Sequence, residues 1–154
     1  MGLPGLETLL PLVYTHGVLG GRLTLEELSM KLSTNPARIM GLYPQKGAIA
    51  VGADADLAII HPTATRPVTP STMETNADWS PYEGWELAGF ARTTLSRGEV
   101  IVDRYAVVGR EGRGKWLSRT GAGLQASASP PASPPPEASA APSRPRAKRP
   151  AGAR

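Results

Sequence analysis

Chemistry would have to come from few residues. The chain has two histidines, His16 and His61, 45 positions apart, and no cysteine. Neither histidine belongs to a His-x-His or His-Glu-x-x-His pattern, whereas a catalytic zinc needs about three protein ligands. His16 falls near a predicted helix end, where an imidazole can meet the helix dipole. His61 ends an apolar run before Pro62 and reads as a rim residue. Asp54 and Asp56 form a pair that can do acid–base work or hold a cation. The same pair in a tight turn bonds nearby backbone N–H groups, which is the expected role here. No Gly-x-Ser-x-Gly, Ser-x-x-Lys, P-loop or Gly-x-Gly-x-x-Gly in a strand–helix setting is present.

Two further clusters invite a ligand reading. Gly109-Arg-Glu-Gly-Arg-Gly114, with Arg110, Arg113, Lys115 and Arg119, offers cations to phosphates or forms an extended arm that packs on a neighbour. Trp79, Tyr82 and Trp85 surround Pro81 and Gly84. They either stack on a base or sugar or, as large apolar groups, fill a core or interface.

The elements that must position these residues are modest. The 154 residues hold 17 Gly and 16 Pro, and eight of the prolines lie in 126–154. Residues 1–125 carry 12 basic and 12 acidic side chains, so the formal net charge of +4 belongs to the remainder. A nucleic-acid footprint on the body is therefore not expected, and binding by the basic tail is not favoured. The absence of cysteine excludes disulfides, thiolate zinc sites and thiol catalysis. No apolar run reaches the roughly 18–20 residues of a membrane span, and residues 1–12 lack a basic n-region. A cytoplasmic protein without a membrane partner is the expectation.

Along the chain, Thr8 is a candidate N-cap for a helix ending at Gly17, with Pro11 inside its first turn. Thr24-Leu-Glu-Glu27 is a capping-box pattern opening a helix with Leu25, Leu28 and Leu32 on one stripe. Ser33-Thr-Asn-Pro36 predicts a stop and a restart, giving a short third helix over 36–42. Residues 47–52 and 55–60 read as strands. Residues 62–75 read as a loop and 78–86 as a turn segment. Residues 87–96 and 99–103 read as strands joined by a hairpin at Arg97-Gly98. Val107, Val108 and Trp116 suggest one more extended piece. From residue 120 a Pro/Ala/Arg-rich tail is expected to be disordered.

Read together, these stretches resemble the C-terminal part of the cyclic amidohydrolases of dihydropyrimidinase and hydantoinase type, with allantoinase and dihydroorotase as near relatives. The resemblance is carried by Gly2-Leu-Pro-Gly-Leu-Glu-Thr8, Leu10-Pro-Leu12 and Ser33-Thr-Asn-Pro-Ala-Arg-Ile-Met-Gly-Leu-Tyr-Pro-Gln-Lys-Gly47. It continues through Ile49-Ala-Val-Gly-Ala-Asp-Ala-Asp-Leu57, Asp78-Trp-Ser-Pro-Tyr-Glu-Gly-Trp-Glu86, Ser96-Arg-Gly-Glu-Val-Ile-Val102 and Gly112-Arg-Gly-Lys-Trp-Leu117. It implies an α+β chain: the terminal helices of a TIM-like barrel over 1–46, part of a small β-sandwich and terminal arm over 47–119, and the tail over 120–154. It also implies hydrolysis of a cyclic amide C–N bond by a hydroxide held on a binuclear metal centre, usually zinc. The family's ligands are a His-x-His pair, a carboxylated lysine, two further histidines and an aspartate, and none maps onto this sequence. Met1 falls where many hydantoinases make a backbone contact to substrate.

The expectation is therefore a segment of a metal-dependent cyclic amidohydrolase with no catalytic, substrate-binding or metal residue of its own, requiring no cofactor itself and inactive alone. An upstream amidohydrolase polypeptide or a homo-oligomer is the expected partner. Apolar surface and unpaired strand edges should be exposed. The alternative is a non-catalytic assembly module with a basic, Pro-rich recruiting tail.

Overall fold

The computed structural model describes residues 2–119. Met1 and the tail expected to be disordered lie outside the described residues. Three short helices come first: α1 (Leu9–Val13), α2 (Leu25–Ser29) and α3 (Asn35–Ile39). Six strands follow: β1 (Leu57–Ile60), β2 (Thr65–Pro67), β3 (Glu86–Ala88), β4 (Ala91–Ser96), β5 (Glu99–Asp103) and β6 (Ala106–Val107). The described part is thus a small α+β unit, helices before sheets.

Thr8 does not cap α1 with its side chain. Its backbone is already helical (φ −89°, ψ −11°), and its buried Oγ1 donates to the Gly5 carbonyl at 3.1 Å. The preceding turn satisfies the hydroxyl, so the helix starts without it. Nor does the helix stop at Gly17. It widens into π-helical turns over Tyr14–Leu19, and Gly17 is buried with Leu23 against it. The chain leaves the helix only at Gly20 and at Gly21 (φ 68°).

The capping box at α2 forms as the sequence reads. The Glu27 N–H donates to Thr24 Oγ1 at 3.1 Å, and the Thr24 N–H donates to Glu27 Oε2 at 2.8 Å. The stop and restart at 33–36 does not. α2 runs through π turns over Met30–Thr34 directly into α3, and Thr34 is itself helical (φ −63°, ψ −48°). A proline lacks the N–H and its ring crowds the carbonyl four residues earlier. The widened turn before Pro36 supplies that room without breaking the helix. Thr34 Oγ1 donates instead to the Gly47 carbonyl at 2.8 Å. The helix ends at Ile39, short of the expected 42, at Gly41 (φ 68°).

The strands form two antiparallel sheets, β1-β4-β5-β6 and β2-β3. Leu57 faces Leu95 in the first register and Thr94 faces Val102 in the second. The expected hairpin is present: Ser96 pairs with Glu99 across Arg97 (φ 50°) and Gly98 (φ 79°). Positive φ at both central positions matches the twist of the flanking strands. Three expectations fail here. Residues 47–52 form turns rather than a strand, with Gly47 and Gly52 at positive φ. Residues 62–75 are not only loop, because they contain β2 and a 3₁₀ turn at Pro70–Thr72. The single strand over 87–96 is two strands in different sheets. The break is Gly89 (φ 82°), where a Cβ would lie 2.5 Å from Tyr14 Cδ1. The last extended piece is only Ala106–Val107, and Trp116 is outside any strand and exposed.

The core is correspondingly thin. Tyr14, Leu28 and Ala88 are buried together, with Leu10, Val13, Val18, Leu32 and Ile60 packed on them. Tyr14 ties α1 to the strands: its hydroxyl donates to the Pro62 carbonyl at 3.1 Å. Thr15 Oγ1 accepts the Ala88 N–H at 2.9 Å. Leu87 and Val68 are fully buried between the segments 65–68 and 85–88. Large aliphatic side chains such as Leu6, Ile39, Ile49 and Val51 stand in solvent.

Candidate functional site

The densest polar constellation joins the helical segment to the first sheet. Gln45 and Lys46 follow α3, while Asp54 and Asp56 precede β1. Lys46 Nζ meets Asp54 Oδ2 at 2.8 Å and also contacts Asp56 Oδ2. Gln45 Nε2 donates to Asp54 Oδ2 at 3.3 Å, and the Asp54 N–H donates to the Gln45 carbonyl at 2.9 Å. Asp56 Oδ1 accepts the Arg97 N–H at 2.7 Å, which anchors the β4–β5 turn beside β1.

Burial of the Asp56 carboxylate opposes its ionisation. Lys46 and the Arg97 N–H and charge outweigh that, so its pKa lies below the ordinary aspartate value. Burial likewise pulls the Lys46 ammonium down, and the two carboxylates reverse it, so its pKa lies above the ordinary lysine value. Both shifts favour the charged pair. A carboxylate fixed this way by a lysine and a backbone N–H is a turn staple, not a free general base. The expectation that these carboxylates bond nearby backbone N–H groups is corrected: Asp54 takes the Gln45 and Lys46 side chains, and Asp56 takes Lys46 and an N–H 41 residues on.

His61 Nδ1 accepts the Ala64 N–H at 3.1 Å and so closes the turn after β1. His16 stands in the last turn of the π-helical segment, with its ring edge-on to Trp85 at 5.6 Å between centroids. Trp85 meets Tyr82 in the same way at 5.5 Å. Trp79 and Trp85 remain about half exposed (45% and 46%), so these rings do not fill a core within the described residues.

Arg113 is committed to its own chain. Its guanidinium donates to the Ser96 carbonyl at 2.7 Å and to Glu99 Oε2 at 3.1 Å, and Arg97 donates back to the Arg113 carbonyl. The arm over 109–114 therefore packs on the β4–β5 hairpin of the same chain. A cavity of about 300 Å³ opens between α1, β2, β4 and β5. Sequence reasoning did not single out Arg66, which lines it and lies over the rings of Tyr105 (4.2 Å) and Phe90 (5.7 Å). The signal was available only as an isolated arginine between Thr65 and Pro67. Glu7 also lines the cavity, and its carboxylate accepts the Glu74 and Thr75 N–H groups at 3.1 and 3.0 Å.

The donor set does not fit the metal centre that the resemblance implies. Among the described residues no three His, Cys, Asp or Glu side chains converge. The two histidines serve separate roles, one against Trp85 and one in the turn after β1. The substrate-contact position at Met1 lies outside the described residues. Also among them, no helix is long and apolar enough to cross a membrane.

The model of the Amidohydrolase family matches residues 9–100. The D-phenylhydantoinase of Escherichia coli O1:K1 / APEC is 42% identical over 118 residues, which is 77% of this chain and 26% of the relative. Among solved structures, the D-hydantoinase (dihydropyrimidinase) from Thermus sp. superimposes with a TM-score of 0.74 at 39% identity, covering 77% of this chain and 26% of that one. The L-hydantoinase (dihydropyrimidinase) from Arthrobacter aurescens does so with a TM-score of 0.74 at 38% identity and the same coverage. The chain spans about a quarter of the length of the relatives it matches. With a family match over more than half of its residues and close structural relatives among the hydantoinases, this chain belongs to the amidohydrolase family.

Proposed function

We propose that the chain is the C-terminal segment of a hydantoinase-type cyclic amidohydrolase and acts as structural support rather than as the seat of the chemistry. In this reading residues 1–46 supply the closing helices of a metal-holding barrel. Residues 47–119 supply part of a β-sandwich and its arm, and residues 120–154 are an appended tail. The observation that carries the reading is a mismatch between two findings. The relatives are hydantoinases over 118 aligned residues, 77% of the chain, yet the donor set needed for an activated hydroxide is not among the described residues. The cyclic amide opened by the full assembly is of the hydantoin or dihydropyrimidine class, and the metal, most simply zinc, is held by residues outside this match.

The test is turnover. The purified 154-residue chain, with and without added zinc, is assayed against hydantoin and dihydrouracil. No ring opening is expected. Ring opening together with stoichiometric zinc retained by the homogeneous chain overturns the reading.

A further inference from the structure

The cavity of about 300 Å³ between α1, β2, β4 and β5 holds an arginine that no anion pairs. Arg66 is half-buried on β2, and its guanidinium lies over the rings of Tyr105 and Phe90. Among the described residues no carboxylate or carbonyl takes its N–H groups. A guanidinium carries five donors in a planar fork, and contact with ring faces uses its charge but not those donors. Leu10, Pro11, Val102 and Val107 give the same cavity an apolar wall. The backbone is strained to complete this arrangement. Tyr105 and Arg104 before it stand at positive φ (68° and 46°) in the turn joining β5 to β6. Asn-Gly suits such a turn, whereas a bulky residue there is under strain. The Tyr105 N–H donates to the Arg92 carbonyl at 3.0 Å, which ties the turn to β4. Turn chemistry does not select a tyrosine at this position; a ring over Arg66 does. Strain of this kind gathers at ligand clamps.

We propose that this cavity is a binding site for a small monocarboxylate with an apolar body. The carboxylate meets the fork of Arg66 in two parallel hydrogen bonds, and the body lies on Phe90 and the aliphatic wall. The volume suits a small ligand, since such sites begin at about 300 Å³. Charge restricts the choice further. Glu7 and Glu74 also line the cavity, and the Glu74 and Thr75 N–H groups hold the Glu7 carboxylate in place. One cation beside two carboxylates accepts a single negative charge and disfavours a phosphate dianion. Occupancy would link α1 to both sheets, because the lining residues come from all three.

The full chain is titrated with hydrocinnamate, followed by calorimetry and by the side-chain N–H resonance of Arg66. Expected is saturable binding with a dissociation constant below about 1 mM, accompanied by a shift of that resonance. Hydrocinnamamide keeps the shape and loses the charge, and should bind at least about tenfold more weakly. Arg66→Gln should weaken binding of the carboxylate by a similar factor. Arg38→Gln removes an arginine that lies over Tyr43 (4.8 Å) but does not line the cavity, and should leave the affinity unchanged. The acid–amide comparison uses the unaltered chain and so decides the matter even if Arg66→Gln fails to fold. Equal affinity for acid and amide overturns the proposal and leaves an apolar recess. Tighter binding of inorganic phosphate overturns it in favour of a general anion site. Absence of saturation up to about 10 mM, or saturation that leaves the Arg66 resonance unmoved, removes the site.

Discussion

Asp56 holds two parts of the sequence at once: its Oδ1 accepts the Arg97 N–H at 2.7 Å while its Oδ2 contacts Lys46. The turn after the helices, at Lys46, and the turn of the β4–β5 hairpin, whose Arg97 lies 41 residues beyond Asp56, are thereby pinned to one carboxylate. The consequence is a pH-dependent tie. Asp56 has a lowered pKa in the fold, so its contribution is present above the unfolded value near 3.9 and is lost as pH falls through the lower folded value. Lys46 has a raised pKa, so its contribution holds below the unfolded value near 10.4 and fades as pH rises through the folded one. Asp56→Asn should cost about 1 kcal/mol at neutral pH, discounted for the partial exposure of the pair. It should also flatten the acid limb of stability. Urea melts from pH 2.5 to 7 measure both, and an unchanged acid limb in the variant counts against the staple.

The capping box isolates a single local interaction. Thr24→Ala should destabilise the chain by about 1 kcal/mol, and Thr24→Ser should restore most of it. The hydroxyl, not the methyl, accepts the Glu27 N–H. Midpoints of denaturant unfolding for the two variants give the comparison.

Two glycines at nearly the same backbone angle should respond differently. Gly89 (φ 82°) faces Tyr14, whereas a Cβ at Gly98 (φ 79°) meets open space. Gly98→Ala should cost about 1 kcal/mol from backbone strain alone. Gly89→Ala adds a clash with a buried ring and should cost at least about 2 kcal/mol more. Thermal midpoints decide it, and equal losses would mean that Tyr14 yields freely.

Metal provides a check without substrate. A ligand held by the native chain at 100 times its dissociation constant would stabilise it by about 2.7 kcal/mol. Added zinc is expected to leave the melting temperature of the 154-residue chain unchanged. A rise that chelation reverses would point to a ligand set beyond the one considered.

Local chemistry made much of this chain legible in its sequence. The family motifs, the capping box and the Arg97-Gly98 hairpin all depend on neighbours within a few positions, where residue type restricts the backbone directly. Tertiary contacts decided the rest. Whether Gly89 splits a strand depends on Tyr14, 75 positions earlier, and whether residues 47–52 pair depends on an edge that no local pattern specifies. Pro36 signalled a break that the fold absorbed by widening the preceding turn. Arg66 gained its place only when β5 and β6 brought Tyr105 over to it. Side-chain periodicity reports which residues want burial, but the partner that buries them is a long-range choice, made by packing.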